Sequence, residues 1–455
     1  MDYSSYSLIM YICLTFLISF VFFIKGEPES NLKGQWLKHS NIFLIGYFVV
    51  HYQYYIDLLL GFQSIGNKLY VDNHLIIIKS LLISLIGLVC FYIGYFVSML
   101  IRREKWGGVG RKYNTVILQF LSYLILIYYY IKVNPLYLNG GYNVFDQGAE
   151  AKYAALAFTA TIYAIMIQKL RNFSLSNVHP SGLLNYLKLV GLGTIIPVII
   201  YLLGVVLSGD RGPIIIFSLL YLSGYLILTK SKIKFVYIMV SLLVAGSFIS
   251  LLGEARRIER GSGISLWEKI TLAQEQKANY NNDEKNSIIP ATQELSISIS
   301  SLHYIVDYLS QENDYLYGKI QLNEAKLAIP LGAIIFNYEN TPENRRYVNI
   351  QNYITWIAQG DSPSYGNGGT LVADLYSIFG VVSIIYGMFI FGWFVRVLEI
   401  RMFVYSSSNI IWQILPVIYF SEILYLSRSS ILGSLKIIIL VFLLLYLNRL
   451  FNSRN

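Results

Sequence analysis

Charge is scarce in this sequence. Only 13% of its 455 residues are Asp, Glu, Lys or Arg, about half the share found in a soluble globular chain. An ordinary water-soluble fold of this length is thereby excluded. Cysteine is nearly absent: Cys13 and Cys90 both lie inside apolar runs, so no disulfide framework is implied. No Gly-x-x-x-x-Gly-Lys-Ser/Thr loop is present, which removes the obvious ATPases. No Cys/His cluster has zinc spacing. No Asp-x-Asp pair offers a clamp for a nucleotide-sugar metal, and no tandem repeat or low-complexity tail is visible.

Apolar length is abundant. Hydrophobic residues make up 55% of the chain, and mean hydropathy is +0.53. Repeated apolar runs of about 20 residues predict membrane-spanning helices. The alternating pattern of a β-barrel is missing. The expected fold is an all-α polytopic integral membrane protein with about 11 transmembrane helices. They are placed at 6–24, 41–60, 75–101, 115–133, 153–168, 187–207, 213–229, 233–252, 370–394, 408–426 and 431–448. The first run follows Asp2 with no basic residue, so it reads as a retained helix and not a cleaved signal. Three regions result: 1–252 with helices 1–8, a large loop at 253–369, and 370–455 with helices 9–11. The 39 tyrosines, many near helix ends, read first as an interfacial aromatic belt and second as sugar-stacking walls.

Lysine and arginine set the orientation. With the N-terminus outside, the inside loops hold Lys25, Lys33 and Lys38; Arg102, Arg103, Lys105, Arg111 and Lys112; Lys169, Arg171 and Lys188; Lys230, Lys232 and Lys234; Arg396 with Arg401; and Arg449 with Arg454. The short outside loops hold only Lys68, Lys152, Arg211 and Arg428. The net charge of +9 is thus mostly cytoplasmic-loop charge and is no sign of a nucleic-acid partner. The C-terminus falls inside.

Three features face outward. Ser208-Gly-Asp-Arg-Gly212 joins two spans in a few residues. It holds Arg211 where glycines leave the backbone bare and a helix N-terminus attracts anions. Asp210 either orients that guanidinium or caps the helix. The large loop is too long for a passive connector and opens with Glu254, Arg256, Arg257 and Arg260. If the eighth helix continues outward, these arginines crowd one face at i, i+3 and i, i+4. A pyrophosphate, which arginine grips with two prongs, would relieve the repulsion; so would Glu254 and Glu259. Arg428 lies in the third feature, a short serine turn past the intramembrane Glu422, which could pair with it or with Lys436. His303 is the one histidine of the large loop and a candidate general base, with Asp307 one turn along; the plainer reading is a surface or core histidine. The apolar run Leu327–Phe336 is too short to span and is expected to dip into the interface.

Ser208-Gly-Asp-Arg-Gly-Pro213 at the head of an apolar helix resembles an element of bacterial O-antigen polysaccharide polymerases (Wzy-type). So does Gly368-Gly-Thr-Leu-Val-Ala-Asp-Leu-Tyr-Ser-Ile-Phe-Gly380 after the large loop. The resemblance implies a GT-C-like inner-membrane glycosyltransferase with its active site on the periplasmic face. Its substrates would be undecaprenyl-pyrophosphate-linked oligosaccharides, with a chain-length regulator as protein partner and no cofactor. By position Arg211 matches the family's arginine after the glycine. Arg256, Arg257, Glu254 and His303 join it as catalytic candidates on the residue argument. Asp210, Arg260, Arg428, Asp374 and Tyr376 are candidates for pyrophosphate or glycan binding, and no metal ligand is assigned. The alternatives are a polysaccharide transporter or flippase, and an O-antigen ligase. A flippase would favour inverted repeats and charges deep in several spans; Asp57, Lys79, Asp374 and Glu422 are few and scattered.

Overall fold

The computed structural model describes residues 3–24, 35–61, 73–100, 111–138, 147–176, 178–233, 268, 271–272, 287, 289, 292–312, 314–403 and 409–453. Among these, the regular structure is helical, with no strand. An apolar run in lipid must satisfy its backbone internally, and a helix does so. Five helices are long and apolar enough to cross a bilayer: His74–Ser98, Ala149–Leu175, Gly212–Thr229, Val381–Met402 and Leu435–Asn452. Two bent pairs raise the number to seven. Val116–Lys132 and Ile411–Leu426 are apolar but shorter, and Tyr3–Ile24 is a further apolar helix of 22 residues. The expected span 233–252 lies outside the described residues, save Ile233.

Several expected spans take another form. The second is His39–His51 followed by Gln53–Leu59, bent by 41°. The sixth is Leu183–Val190 and Leu192–Ser208, bent by 95° at Gly191, whose φ is +79. The fifth is longer than its expected 153–168. It runs from Ala149 to Leu175, since Ala, Glu and Lys at its start and Lys, Leu and Arg at its end are good helix formers that carry the helix past its apolar stretch. The ninth, expected as one helix over 370–394, is broken. Leu371–Phe379 is a separate short helix, Gly380 turns the chain at φ +65, and Val381–Phe403 follows. Leu316 and Tyr317 donate backbone hydrogen bonds to the Ser377 and Ile378 carbonyls beside the break. Asp374 and Tyr376 therefore sit ahead of the span, not in it.

The chain divides into two compact units. The first comprises residues 1–104, 284–400 and 423–436. Its centre is a close crossing of His74–Leu100 with Val381–Phe403. A Cβ on Gly94 would stand 1.9 Å from the Phe389 carbonyl oxygen, and one on Gly392 would stand 2.0 Å from that of Phe91. The two backbones touch through reciprocal glycines, the way small residues bring membrane helices together. Beside this crossing a charge cluster is fully buried. Arg396 meets Glu399 at 3.5 Å with neither side chain exposed. The Tyr95 hydroxyl donates to Glu399 Oε2 at 2.5 Å, and the Ser40 amide donates to Oε1 at 2.7 Å. Arg396, expected in an inside loop, is thus a helix-interior residue held by a counter-charge. It is no marker of orientation.

The second unit comprises residues 105–283, 401–422 and 437–455. Val116–Lys132 packs along Ala149–Leu175, and both meet Leu192–Ser208. Aromatic rings fill this contact: Tyr129 and Phe158 approach Tyr201 at 5.4 and 4.9 Å. The Tyr163 and Ser421 hydroxyls are hydrogen-bonded at 2.5 Å.

Candidate functional site

In the second unit the Ser208–Gly212 reversal follows from its residues. Gly209 adopts φ +80, ending the Leu192–Ser208 helix with bonds to the Val206 and Val205 carbonyls from Gly209 and Asp210. This is the glycine-terminated exit that left-handed backbone allows. Asp210 Oδ1 accepts from the Gly212 amide at 3.1 Å, so it acts as a cap of the next helix. Arg211 is half-buried at the N-cap position, with Pro213 inside the first turn. The proline lacks an N–H and Asp210 occupies that of Gly212. The dipole end expected to bind an anion is therefore partly filled from within.

In the first unit the large loop is folded against the Ser427–Ser434 turn. The Ser427 carbonyl accepts from the Leu371 amide at 3.3 Å. Asp374 is fully buried; its Oδ1 accepts from Gln321 Nε2 at 2.6 Å and its Oδ2 from the Ile431 amide at 2.9 Å. Burial pushes this carboxyl up to about 6 against the pull of those two donors. Gln321 and Glu324 share one helix face at i, i+3. Glu324 Oε1 accepts from Ser430 Oγ at 2.5 Å. Its Oε2 is buried with no hydrogen-bond partner among the described residues. Burial pushes the Glu324 carboxyl up to about 7; Asp374 adds to the rise and Ser430 opposes it.

Arg428 stands two residues from Ser430, half-buried in the same turn. A Cβ on Gly368 would lie 3.3 Å from Arg428 Nε and 3.2 Å from Ser298 Oγ. The Gly368 carbonyl accepts from Ser301 Oγ at 2.6 Å. Gly368 thus leaves room for the guanidinium against bare backbone. Arg428 forms no ion pair with a described residue. The structure accordingly brings Arg428, the Gly368–Thr370 segment and Asp374 together, and it adds Gln321 and Glu324.

Of the other candidates, His303 is buried, its Nε2 2.9 Å from the Tyr55 hydroxyl. Burial lowers its pKa to about 3, so it stays neutral and is a weak base. Asp307 accepts from Gln311 at 3.0 Å. Tyr376 is buried edge-on to Tyr315 with ring centres 6.1 Å apart, and burial pushes its hydroxyl up to about 12. Glu254, Arg256, Arg257 and Arg260 lie outside the described residues. Among the described residues no group of three His, Cys, Asp or Glu is placed to hold a metal ion. Glu324 was missed because nothing local marks it: Lys319–Ala328 reads as an ordinary polar surface helix.

No protein-family model, no curated protein and no solved structure matches the chain. The class rests on the fold itself, a membrane protein built of helices. Its most developed polar site is a carboxyl pair and an arginine around one turn between two apolar helices.

Proposed function

We propose that the chain is a membrane glycosyltransferase that polymerises undecaprenyl-pyrophosphate-linked oligosaccharides into O-antigen or a related surface polysaccharide. The growing chain is moved from its carrier onto a fresh lipid-linked repeat unit, on the periplasmic face of an eleven-span, GT-C-like inner-membrane protein. The observation that carries this reading is the Arg428 turn. An arginine without an ion pair among the described residues stands two residues from Ser430, whose hydroxyl donates to a carboxyl that burial raises to about 7, where apolar helices end. Arginine suits a phosphate leaving group, and a carboxylate of that pKa suits a general base.

In the proposed reaction an acceptor sugar hydroxyl attacks the anomeric carbon of the donor. The new glycosidic C–O bond forms as the bond to pyrophosphate breaks. The hydroxyl proton passes to Glu324, and undecaprenyl pyrophosphate leaves with the bonding pair. Fixed arginine charge stabilises the leaving group as it develops. Arg428 is the candidate in the first unit; Arg211, or Arg256, Arg257 and Arg260, are alternatives that the sequence supplies for the same role. The donor bond supplies the energy, so no ATP is required.

A flippase is the second reading, favoured by the buried Arg396–Glu399 pair, since charges inside a span mark transport paths. One experiment separates the two. In cells carrying Arg428→Ala at normal protein level, the proposal expects lipopolysaccharide core bearing a single repeat unit. Repeat units trapped inside point to a flippase. Core with no repeat unit points to a ligase, and full-length polymer removes Arg428 from the mechanism.

A further inference from the structure

The hairpin after the Lys319–Ala328 helix is built against the preferences of its residues. Leu331 adopts φ +61 and Asn337 φ +48, bracketing the short helix Gly332–Ile335. A leucine in the left-handed region is strained, and such strain persists only where surroundings impose it. The hairpin is also pressed onto its own helix: a Cβ on Gly332 would stand 2.0 Å from the Lys326 carbonyl oxygen. The result is not a core. Leu331, Ile334 and Ile335 are 71%, 72% and 59% exposed, and Phe336 is 43% exposed.

The position of this tip follows from its anchors. Gln321 is tied to Asp374, just ahead of the candidate span Val381–Met402. Glu324 is tied to Ser430, just ahead of Leu435–Asn452. The Lys319–Ala328 helix is therefore fixed at the level where spans leave the bilayer. Gly332 is folded back onto Lys326, two residues past Glu324 and a rise on the order of 3 Å along the helix, so the tip stays close to that level. Lys326 Nζ stands 5.8 Å from the Phe336 ring centre, a cation at the edge of the apolar tip, as interfacial segments carry.

We propose that residues 329–336 form a membrane-inserting tip. Leu331, Ile334, Ile335 and Phe336 enter the acyl region of the bilayer that the spans cross, and Lys326 meets lipid phosphate at its margin. The large loop is then held at both ends of the Lys319–Ala328 helix, by the Ser427–Ser434 turn on one side and by lipid on the other. This inference does not depend on the proposed reaction.

The test uses the full chain with Cys13→Ala and Cys90→Ala, carrying Ile334→Cys labelled with an environment-sensitive dye. The protein is placed in phosphatidylcholine–phosphatidylglycerol vesicles that contain acyl-chain nitroxide lipid. Phe336→Cys is the second site, and Ser364→Cys, exposed in the same loop, is the reference. The expected result is blue-shifted emission and loss of most of the fluorescence at 334 and 336, with neither at 364. Emission at 334 and 336 matching that at 364 overturns the proposal. Quenching at 334 only by a nitroxide-labelled second copy of the chain also overturns it and assigns the tip to self-association.

Discussion

Replacing Glu324 by Gln tests the chemistry most directly. If Glu324 is the general base, only its carboxylate works, so the rate rises with pH through about 7. Its loss should cost about 10²–10⁴ in rate, or about 3–5 kcal/mol in the barrier. A structural residue could give the same loss, so the neighbours decide. Ser430 donates to the carboxylate and holds its pKa down, whereas the buried Asp374 holds it up. Gln321 ties Asp374 through its side-chain amide. Ser430→Ala should therefore move the rising limb to higher pH, and Asp374→Asn should move it lower. The assay is the initial rate of repeat-unit coupling in proteoliposomes across the neutral range, each variant against wild type. A limb that stays in place in both variants, or a wild-type rate from Glu324→Gln at neutral pH, refutes the assignment.

Arg211→Lys keeps the charge but cannot present two prongs to a phosphate; losing one charged hydrogen bond of about 2.7 kcal/mol slows turnover about a hundredfold. A stable protein that makes mostly single repeat units is expected, and long polymer from Arg211→Ala would remove Arg211 from the site. Arg396→Met removes one of the two cations, Arg396 and Lys38, that act on the buried Glu399 and should destabilise by up to about 3–5 kcal/mol; thermal unfolding in detergent reads it, and an unchanged midpoint would show that Lys38 alone holds Glu399. Phosphatase fusions after Gly148 and within residues 281–287 should be active and one after Lys232 silent. A silent fusion at 281–287 inverts the orientation and moves the proposed chemistry to the other face.

What the sequence disclosed was length and polarity; what it hid was direction and pairing. Apolar runs identified helices because lipid leaves the backbone no other course. Bends were harder to see: Gly191 and Gly380 are two of 34 glycines, and only the fold shows that each turns the chain. Asp374 was legible as an unusual acid in an apolar motif. Its partners Gln321 and Ile431 were not, because they come from distant segments that the fold brings together. Arg396 misled for a related reason. Charge near the end of an apolar run looks like a loop, and the i, i+3 spacing to Glu399 gave the only hint of a buried pair.

The reciprocal contact of Gly94 and Gly392 has a consequence for how the protein is made. Tyr95 and Glu399, beside that contact, are 304 positions apart. At about 5–20 residues per second, the His74–Leu100 helix waits about 15–60 s for the partner that fills its glycine notch. Throughout that interval its packing face is met by lipid. The later helix arrives carrying Arg396 and Glu399, and its insertion is eased by the Tyr95 and Ser40 donors already in place. Ribosome-arrested chains ending before Val381 are expected to leave position 94 open to lipid-borne probes, and chains extended well past Phe403 to close it.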